Sequence, residues 1–238
     1  MEKLIMNKAF KFVFAMFALA MLVGVFSLTD ANAQGGPLRE AINRMDAMNR
    51  SLVSLKADVK MDKTNAQLGE TDTTSGTTSY LPKTNKRAMY ARIDWTRPVQ
   101  EQIVIIGDTY QLYRPRLNQV LKGKVDRTGK DNRVPGNALA FMSMSKAQLE
   151  ANYTVNYIGQ ETAAGSLTWH LELLPKTKTS YKSAELWVDA NGMPIQAKII
   201  ESNNDTTTVL LSNVQKNITI SASDFNLALP KGVKQIQG

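Results

Sequence analysis

The sequence predicts a mainly β protein with a few helices. Its core is a single curved antiparallel sheet forming an incomplete, half-open barrel, with the apolar concave face covered by an N-terminal helix and short lid helices. Three observations predict it. From Leu52 onward, about ten or eleven short segments alternate apolar and polar residues, and nearly every one has a single apolar face. A helical period occurs only near the front and in one central stretch. No internal repeat and no linker divides the chain. A sheet that large curls. Its one apolar face must be covered by helices or closed on itself, and a half-barrel with helices across the open side meets both demands.

The chain begins with Lys3, Lys8 and Lys11, then an apolar run from Phe12 to Leu28, then Ala31-Asn32-Ala33. Basic, apolar and small-x-small in that order is the pattern of a secretory signal peptide, expected over residues 1–33. A membrane anchor is the alternative, because a run of about 17 residues is at the lower limit for a span. The remaining residues, 34–238, are enough for one large domain. With no cysteine in 238 residues there is neither a disulfide nor a lipidation site. The exported chain is therefore expected to be soluble.

Pro37 to about Ser51 reads as a helix: Pro37 suits a first turn, and Leu38, Ile42 and Met45 recur on one face. Leu52 to Met61 alternates as a half-exposed strand. Asn65 to Ser79 is rich in Thr, Ser and Gly and reads as a long connection into Tyr80-Leu81. Ala88 to Trp95 resumes the sheet, with Met89, Ala91, Ile93 and Trp95 on one side. Ile103 to Ile106 is a short apolar strand of ambiguous phase. Tyr110 to about Lys122 reads as one further strand, and Gly123 to Gly136 as a loop. Asn137 to about Asn152 reads as two short helices carrying Leu139, Met142 and Met144.

From Tyr153 the pattern is strands. Leu167, Trp169, Leu171 and Leu173 alternate, then Ala184-Leu186-Val188. Asp189-Ala190-Asn191-Gly192 is a strong hairpin signal. Ile195-Ala197-Ile199, Thr207-Val209-Leu211, Ile218-Ile220 and Phe225-Leu227-Leu229 complete the set.

The chemistry is sparse. His170 is the only histidine and falls on the strand face opposite Trp169 and Leu171, where it reads as a surface residue. A Ser-His-Asp triad would need it, and no nucleophile elbow accompanies it. One His and no Cys argue against zinc or copper. No carboxylate pair or phosphate loop stands out. No catalytic group, metal or cofactor is expected. The formal charge of +8 is spread along the chain and suits either approach to an anionic membrane surface or an ordinary basic exported protein. Methionines are frequent on the apolar faces, either as core filler or as a lining that accepts varied apolar ligands.

The order of residues adds a resemblance. Arg92-Ile93-Asp94-Trp95-Thr96-Arg97-Pro98 leads into Ile103 to Gly107, then Tyr110 to Pro115 and Leu117-Asn118-Gln119-Val120. Further on come Pro135 to Met144, Trp169 to Lys176, Leu186 to Gly192 and Asp224 to Val233. In this order they resemble the periplasmic lipoprotein-carrier (LolA) family. The resemblance implies a periplasmic protein, not an enzyme, that shields the acyl chains of lipoproteins in an apolar cavity. It would take them from an inner-membrane lipoprotein-releasing ABC transporter and pass them to an outer-membrane acceptor. It implies a monomer with no nucleic-acid partner. A lipid or lipoprotein sensor of the same fold is the alternative. The inward, acyl-binding side chains are then Ile42, Met45, Met89, Ile93, Trp95, Tyr110, Leu112, Leu139, Met142, Trp169 and Leu171, with Trp95, Tyr110 and Trp169 near the mouth. The family has an Arg-Pro pair before the Trp strand whose arginine ties the lid shut. Here the proline is missing and the role falls to Arg87 or Arg92.

Overall fold

In a computed structural model, residues 35–125 and 144–237 are described. Contacts divide the chain into Met1–Pro37 and Leu38–Gly238. Of the first unit only Gly35 to Pro37 is described, as the opening residues of a helix. The second unit contains the sheet.

Helix α1 (Gly35–Ser51) buries Ile42 and Met45 of the expected stripe together with Ala41 and Met48, while Leu38 is half-buried. Strand β1 (Leu55–Thr64) follows, its odd-numbered residues from Leu55 to Met61 buried and its lysines exposed. It is followed by β2 (Thr71–Leu81), β3 (Tyr90–Arg97), β4 (Glu101–Ile106), β5 (Thr109–Arg114) and β6 (Gln119–Lys124). A short helix α2 (Lys146–Asn152) opens with a capping box between Ser145 and Gln148. Then come β7 (Tyr153–Ala163), β8 (Ser166–Pro175), β9 (Tyr181–Asp189), β10 (Pro194–Glu201), β11 (Thr206–Lys216) and β12 (Lys234–Gln237). They form one open, curved sheet in the order β12-β6-β5-β4-β3-β2-β1-β11-β10-β9-β8-β7. Consecutive strands pair as hairpins within β1–β6 and within β7–β11. The two meanders meet where β1 pairs with β11.

Four expectations are corrected. The polar stretch read as a connection is mostly strand β2, with a complete ladder from Leu55↔Tyr80 to Thr64↔Thr71 on one side and β3 on the other. Flanking strands supply its hydrogen bonds, and β-branched threonines suit the pleat without an apolar face of their own. The strand expected from Tyr110 to Lys122 is two antiparallel strands. A 3-10 turn at Pro115–Leu117 closes on left-handed Asn118, whose N–H donates to the Pro115 carbonyl at 3.0 Å. Ile218–Ile220 is not a strand. Asn217 (φ 57°) turns the chain off β11, accepting from the Val53 N–H and donating to the Ser51 carbonyl. Phe225 then belongs to a 3-10 turn, Ala222–Phe225, not to a strand.

From there the chain crosses the outer face of the sheet as a strap and returns as β12. This last strand pairs parallel with β6, so the sheet is antiparallel except at that edge. Phe225, 1 % exposed, fills a small second core with Leu81 and Val104, its ring 5.3 Å from that of Tyr90. The strap explains the phase of β4: Val104 and Ile106 face it, while Ile103 and Ile105 join the main core.

Candidate functional site

The inner face of the sheet is largely apolar, interrupted along β2, where Gly76 and Thr78 stand between the apolar residues of β1 and β3. Leu55, Ala57, Val59 and Met61 of β1 lie at its centre. Val209 and Leu211, then Ala197 and Ile199, then Ala184 and Leu186, extend it towards β8. Ile93, Trp95, Ile103 and Leu112 extend it the other way. Helix α1 lies on this face through Ala41, Met45 and Met48. Methionine's unbranched, polarisable side chain adapts to whatever packs against it. Such a face can hold apolar chains once its cover moves.

The structure places the expected inward residues as follows. Met45, Ile93, Trp95, Tyr110, Leu112 and Leu171 join the main core, Ile42 is buried, and Met89 is half-buried against the core. Leu139 and Met142 lie outside the described residues. Trp95 and Tyr110 are 5 % and 2 % exposed, so neither stands at a wet mouth. The Tyr110 ring instead covers Gly123 on β6, where a Cβ would come within 2.8 Å of its Cε1. Trp169 is half-buried, with the Arg44 guanidinium 5.4 Å above its ring. The sequence reading left out Ile103 and Ile105 because a four-residue apolar run has no visible phase. Pairing of Ile103 with Ile93 and Leu112 resolves it.

The seat of α1 escaped the sequence reading. Arg44 Nη1 donates to the Ala190 carbonyl at 2.5 Å in the β9–β10 turn. Gly192 in that turn has φ 81°, and a Cβ there would sit 2.7 Å from the Met45 nitrogen and closer still to the Arg44 carbonyl. The helix backbone therefore rests directly on the glycine. Asp189 shapes the turn by accepting from the N–H groups of Asn191 and Met193. Further along, Asn49 donates to the Met144 carbonyl at 2.8 Å, and Lys146 to Asn43 Oδ1 at 3.0 Å. The Asp-x-x-Gly motif was legible as a hairpin; its service as a helix seat was not, because Arg44 lies far away in sequence.

The two latch candidates sit elsewhere. Arg87 lies in the turn before β3, Nη2 3.3 Å from the Pro82 carbonyl, with its buried Nε unpartnered. Arg92 forms a two-pronged pair with Asp94 (2.8 and 2.9 Å) and donates to the carbonyls of Asp224 and Asn226. It points to the outer face and holds the strap there.

His170 also faces outward, but it is no free surface residue. Its side chain is 14 % exposed and stacks on Trp187 at 4.2 Å and 14°. Its Nδ1 lies 3.2 Å from Glu161 and its Nε2 3.2 Å from Glu185, so it joins β7 to β9 across β8. Trp187 Nε1 donates to the same Glu161. Among the described residues no group of three or more His, Cys, Asp or Glu could hold a metal ion. An open concavity of about 570 Å³ lies at the β1–β11 bulge, lined by Lys56, Ala57, Asp58, Thr77, Asn213, Val214 and Gln215.

Comparison with known proteins agrees with this geometry. The family model described as outer membrane lipoprotein carrier protein LolA matches residues 50–228. An outer-membrane lipoprotein carrier protein of Chromobacterium violaceum is 25 % identical over 195 residues, 81 % of this chain and 90 % of the relative. One from Pseudomonas fluorescens is 24 % identical over 218 residues, 91 % and 97 % of the two chains. Among solved structures, MucB superposes with a TM-score of 0.53 at 13 % identity, covering 80 % of this chain and 62 % of MucB. An uncharacterized conserved protein from Thermus thermophilus gives 0.54 at 10 % identity, covering 84 % and 99 %. These two likenesses concern the fold alone. The family match spans most of the sheet, from the end of α1 into the strap, and the chain belongs to the LolA family of outer membrane lipoprotein carrier proteins.

Proposed function

We propose that this protein binds the acyl chains of lipoproteins on the inner face of its sheet and carries them through the periplasm from the inner to the outer membrane. The observation that carries the reading is the broad apolar face under α1, in a chain that matches the carrier family along most of its length. Ile42, Met45, Met89, Ile93, Trp95, Tyr110, Leu112, Trp169 and Leu171 are the acyl-contacting residues in this reading, with Leu139 and Met142 from the lid segment. Each methylene held on such a face rather than in water contributes about 0.8 kcal/mol, which offsets the same contribution lost when the chains leave the membrane. Release is then transfer to a better binder. Residues 1–33 act as a cleavable signal peptide. The donor is an inner-membrane lipoprotein-releasing ABC transporter and the recipient an outer-membrane acceptor.

The test is a release assay. Inner-membrane spheroplasts of the source organism are incubated with the purified exported protein, and acylated lipoproteins are sought in the soluble fraction bound to it. Their appearance supports the carrier reading. Acyl-chain binding by native mass spectrometry without lipoprotein release would refute it and favour a sensor of lipid or lipoprotein.

A further inference from the structure

The positive charge that looks dispersed along the sequence is gathered by the fold at one edge of the sheet. Residues 109–125 and 225–237 contain no Asp or Glu, and they contribute Arg114, Arg116, Lys122, Lys124, Lys231 and Lys234. The two segments are far apart in the chain. They meet because β12 pairs parallel with β6, Lys234 opposite Gln119 and Gln237 opposite Lys122. The Lys234 N–H donates to the Asn118 carbonyl at 2.9 Å, and Lys122 Nζ to Gln235 Oε1 at 3.1 Å. Arg116, Lys124, Lys231 and Lys234 are exposed, while Arg114 and Lys122 are half-buried.

The acidic groups nearest in the sheet do little to offset this. Glu101 on β4 pairs with Arg114 at 3.1 Å and offsets that one cation, which leaves Arg116, Lys122, Lys124, Lys231 and Lys234. Asp108 stands at the far end of the strands, its carbonyl bonded to the Val125 N–H. The opposite edge is nearly balanced, residues 153–189 contributing Glu161, Glu172, Glu185 and Asp189 against Lys176, Lys178 and Lys182. At the tip of the β5–β6 turn, between Arg116 and the left-handed Asn118, Leu117 stands 60 % exposed. The 3-10 turn behind it, begun by Pro115 and stitched to β12 through Asn118, gives the leucine a fixed direction.

An apolar side chain held outward on a stiff turn among cations matches a surface that is anionic outside and apolar just beneath. We infer that the β12–β6–β5 edge is a docking surface for an anionic lipid bilayer, with Arg116, Lys231 and Lys234 on the headgroups and Leu117 entering between them. Clusters of this size bind anionic membranes by summed electrostatic attraction, which salt screens. Apolar insertion adds a contribution that salt leaves alone. The surface lies apart from the apolar inner face, so membrane docking requires no bound cargo.

The test is flotation of the purified exported protein with vesicles of phosphatidylethanolamine and phosphatidylglycerol, and with vesicles of phosphatidylcholine alone. The protein is expected to float with the first and not the second, and to be released by salt. Arg116→Gln, Lys231→Gln and Lys234→Gln together should weaken binding about tenfold or more. Lys176→Gln, Lys178→Gln and Lys182→Gln, an equal loss of charge in the β8–β9 connection and the start of β9, should leave it nearly unchanged. Leu117→Ser should weaken binding while preserving the salt slope, and it serves alone if the triple variant fails to fold. Equal binding to both vesicle types, or equal loss from both triple variants, would overturn the inference. So would absence from vesicles with capture by an acidic protein instead. A protein that floats yet releases no lipoprotein would sink the carrier function and leave this one standing.

Discussion

Replacing Gly192 by alanine tests whether α1 really rests on the β9–β10 turn. Two costs arise. An L-residue at φ 81° is strained by about 1–2 kcal/mol. The new methyl would also sit 2.7 Å from the Met45 nitrogen, and normal contact needs about 3.5 Å. The helix must therefore lift by about 1 Å or the turn must bend away, a form of overpacking that costs about 1–3 kcal/mol. Together these give about 2–5 kcal/mol. Gly165, in the β7–β8 turn, provides the control: its φ is 77° and a Cβ there meets nothing within 4 Å. Gly165→Ala should show only the backbone cost, about 1–2 kcal/mol. The excess for Gly192→Ala then measures the seat. Urea unfolding reads both variants, and at about 2–4 °C per kcal/mol for a chain of this size the difference is also visible in Tm. Uptake of a fluorescent fatty acid supplies the functional side. Lifting α1 should raise uptake in Gly192→Ala above that in Gly165→Ala. Equal destabilisation of the two variants would refute the tight seat. A large difference in stability with identical uptake would show that α1 is not the cover of the acyl-binding face.

Three further outcomes are expected. Arg92→Ala should free the strap, at a cost of about 1.5–3 kcal/mol for the lost charged hydrogen bonds, and limited proteolysis should then cut within residues 217–233. A change in acyl loading without new cleavage would instead make Arg92 a latch on the cover. His170→Ala should lower stability by about 0.5–1.5 kcal/mol through the lost stacking on Trp187, with lipoprotein transfer at the wild-type level; loss of transfer with normal stability would contradict a purely structural role. Tyr181 gives a pH signature. Burial, and then its hydrogen bond with Tyr153, hold its hydroxyl well above the ordinary tyrosine value. A raised folded value contributes stability that is fully present below about pH 10 and is lost as pH rises above it. Tyr181→Phe should flatten that alkaline decline in urea unfolding, and an unchanged slope would exclude the pair as its source.

Much of the fold was legible wherever a strand has one wet face. Lys56, Asp58 and Lys60 alternating with Ala57, Val59 and Met61 admit little else, and Asp189 to Gly192 marks its turn by residue type. Legibility failed where partners from elsewhere override the local pattern. Strand β2 is polar because its neighbours supply the ladder. Strand β12 is four residues long and exists only because β6 is there to receive it. Phe225 looks like a strand residue until the outer pocket of Leu81 and Val104 is known. For the site, the inward faces were readable from alternation, whereas the seat of α1 was not. An arginine, a carbonyl and a glycine that meet only in three dimensions leave no periodic trace.

The pairing of β1 with β11 also constrains the order in which this protein can be made. Each meander consists of hairpins between neighbours, which close quickly, but the seam joins strands from the two ends of the chain and must await nearly all of it. Until Thr206 to Lys216 emerges, β1 offers a ten-residue bare edge with an apolar face, the kind of surface on which partly made chains aggregate. A protein wired this way gains little from folding as it is synthesised. It suits a chain kept extended until its last strands arrive, when the seam, the strap and β12 can close in one step.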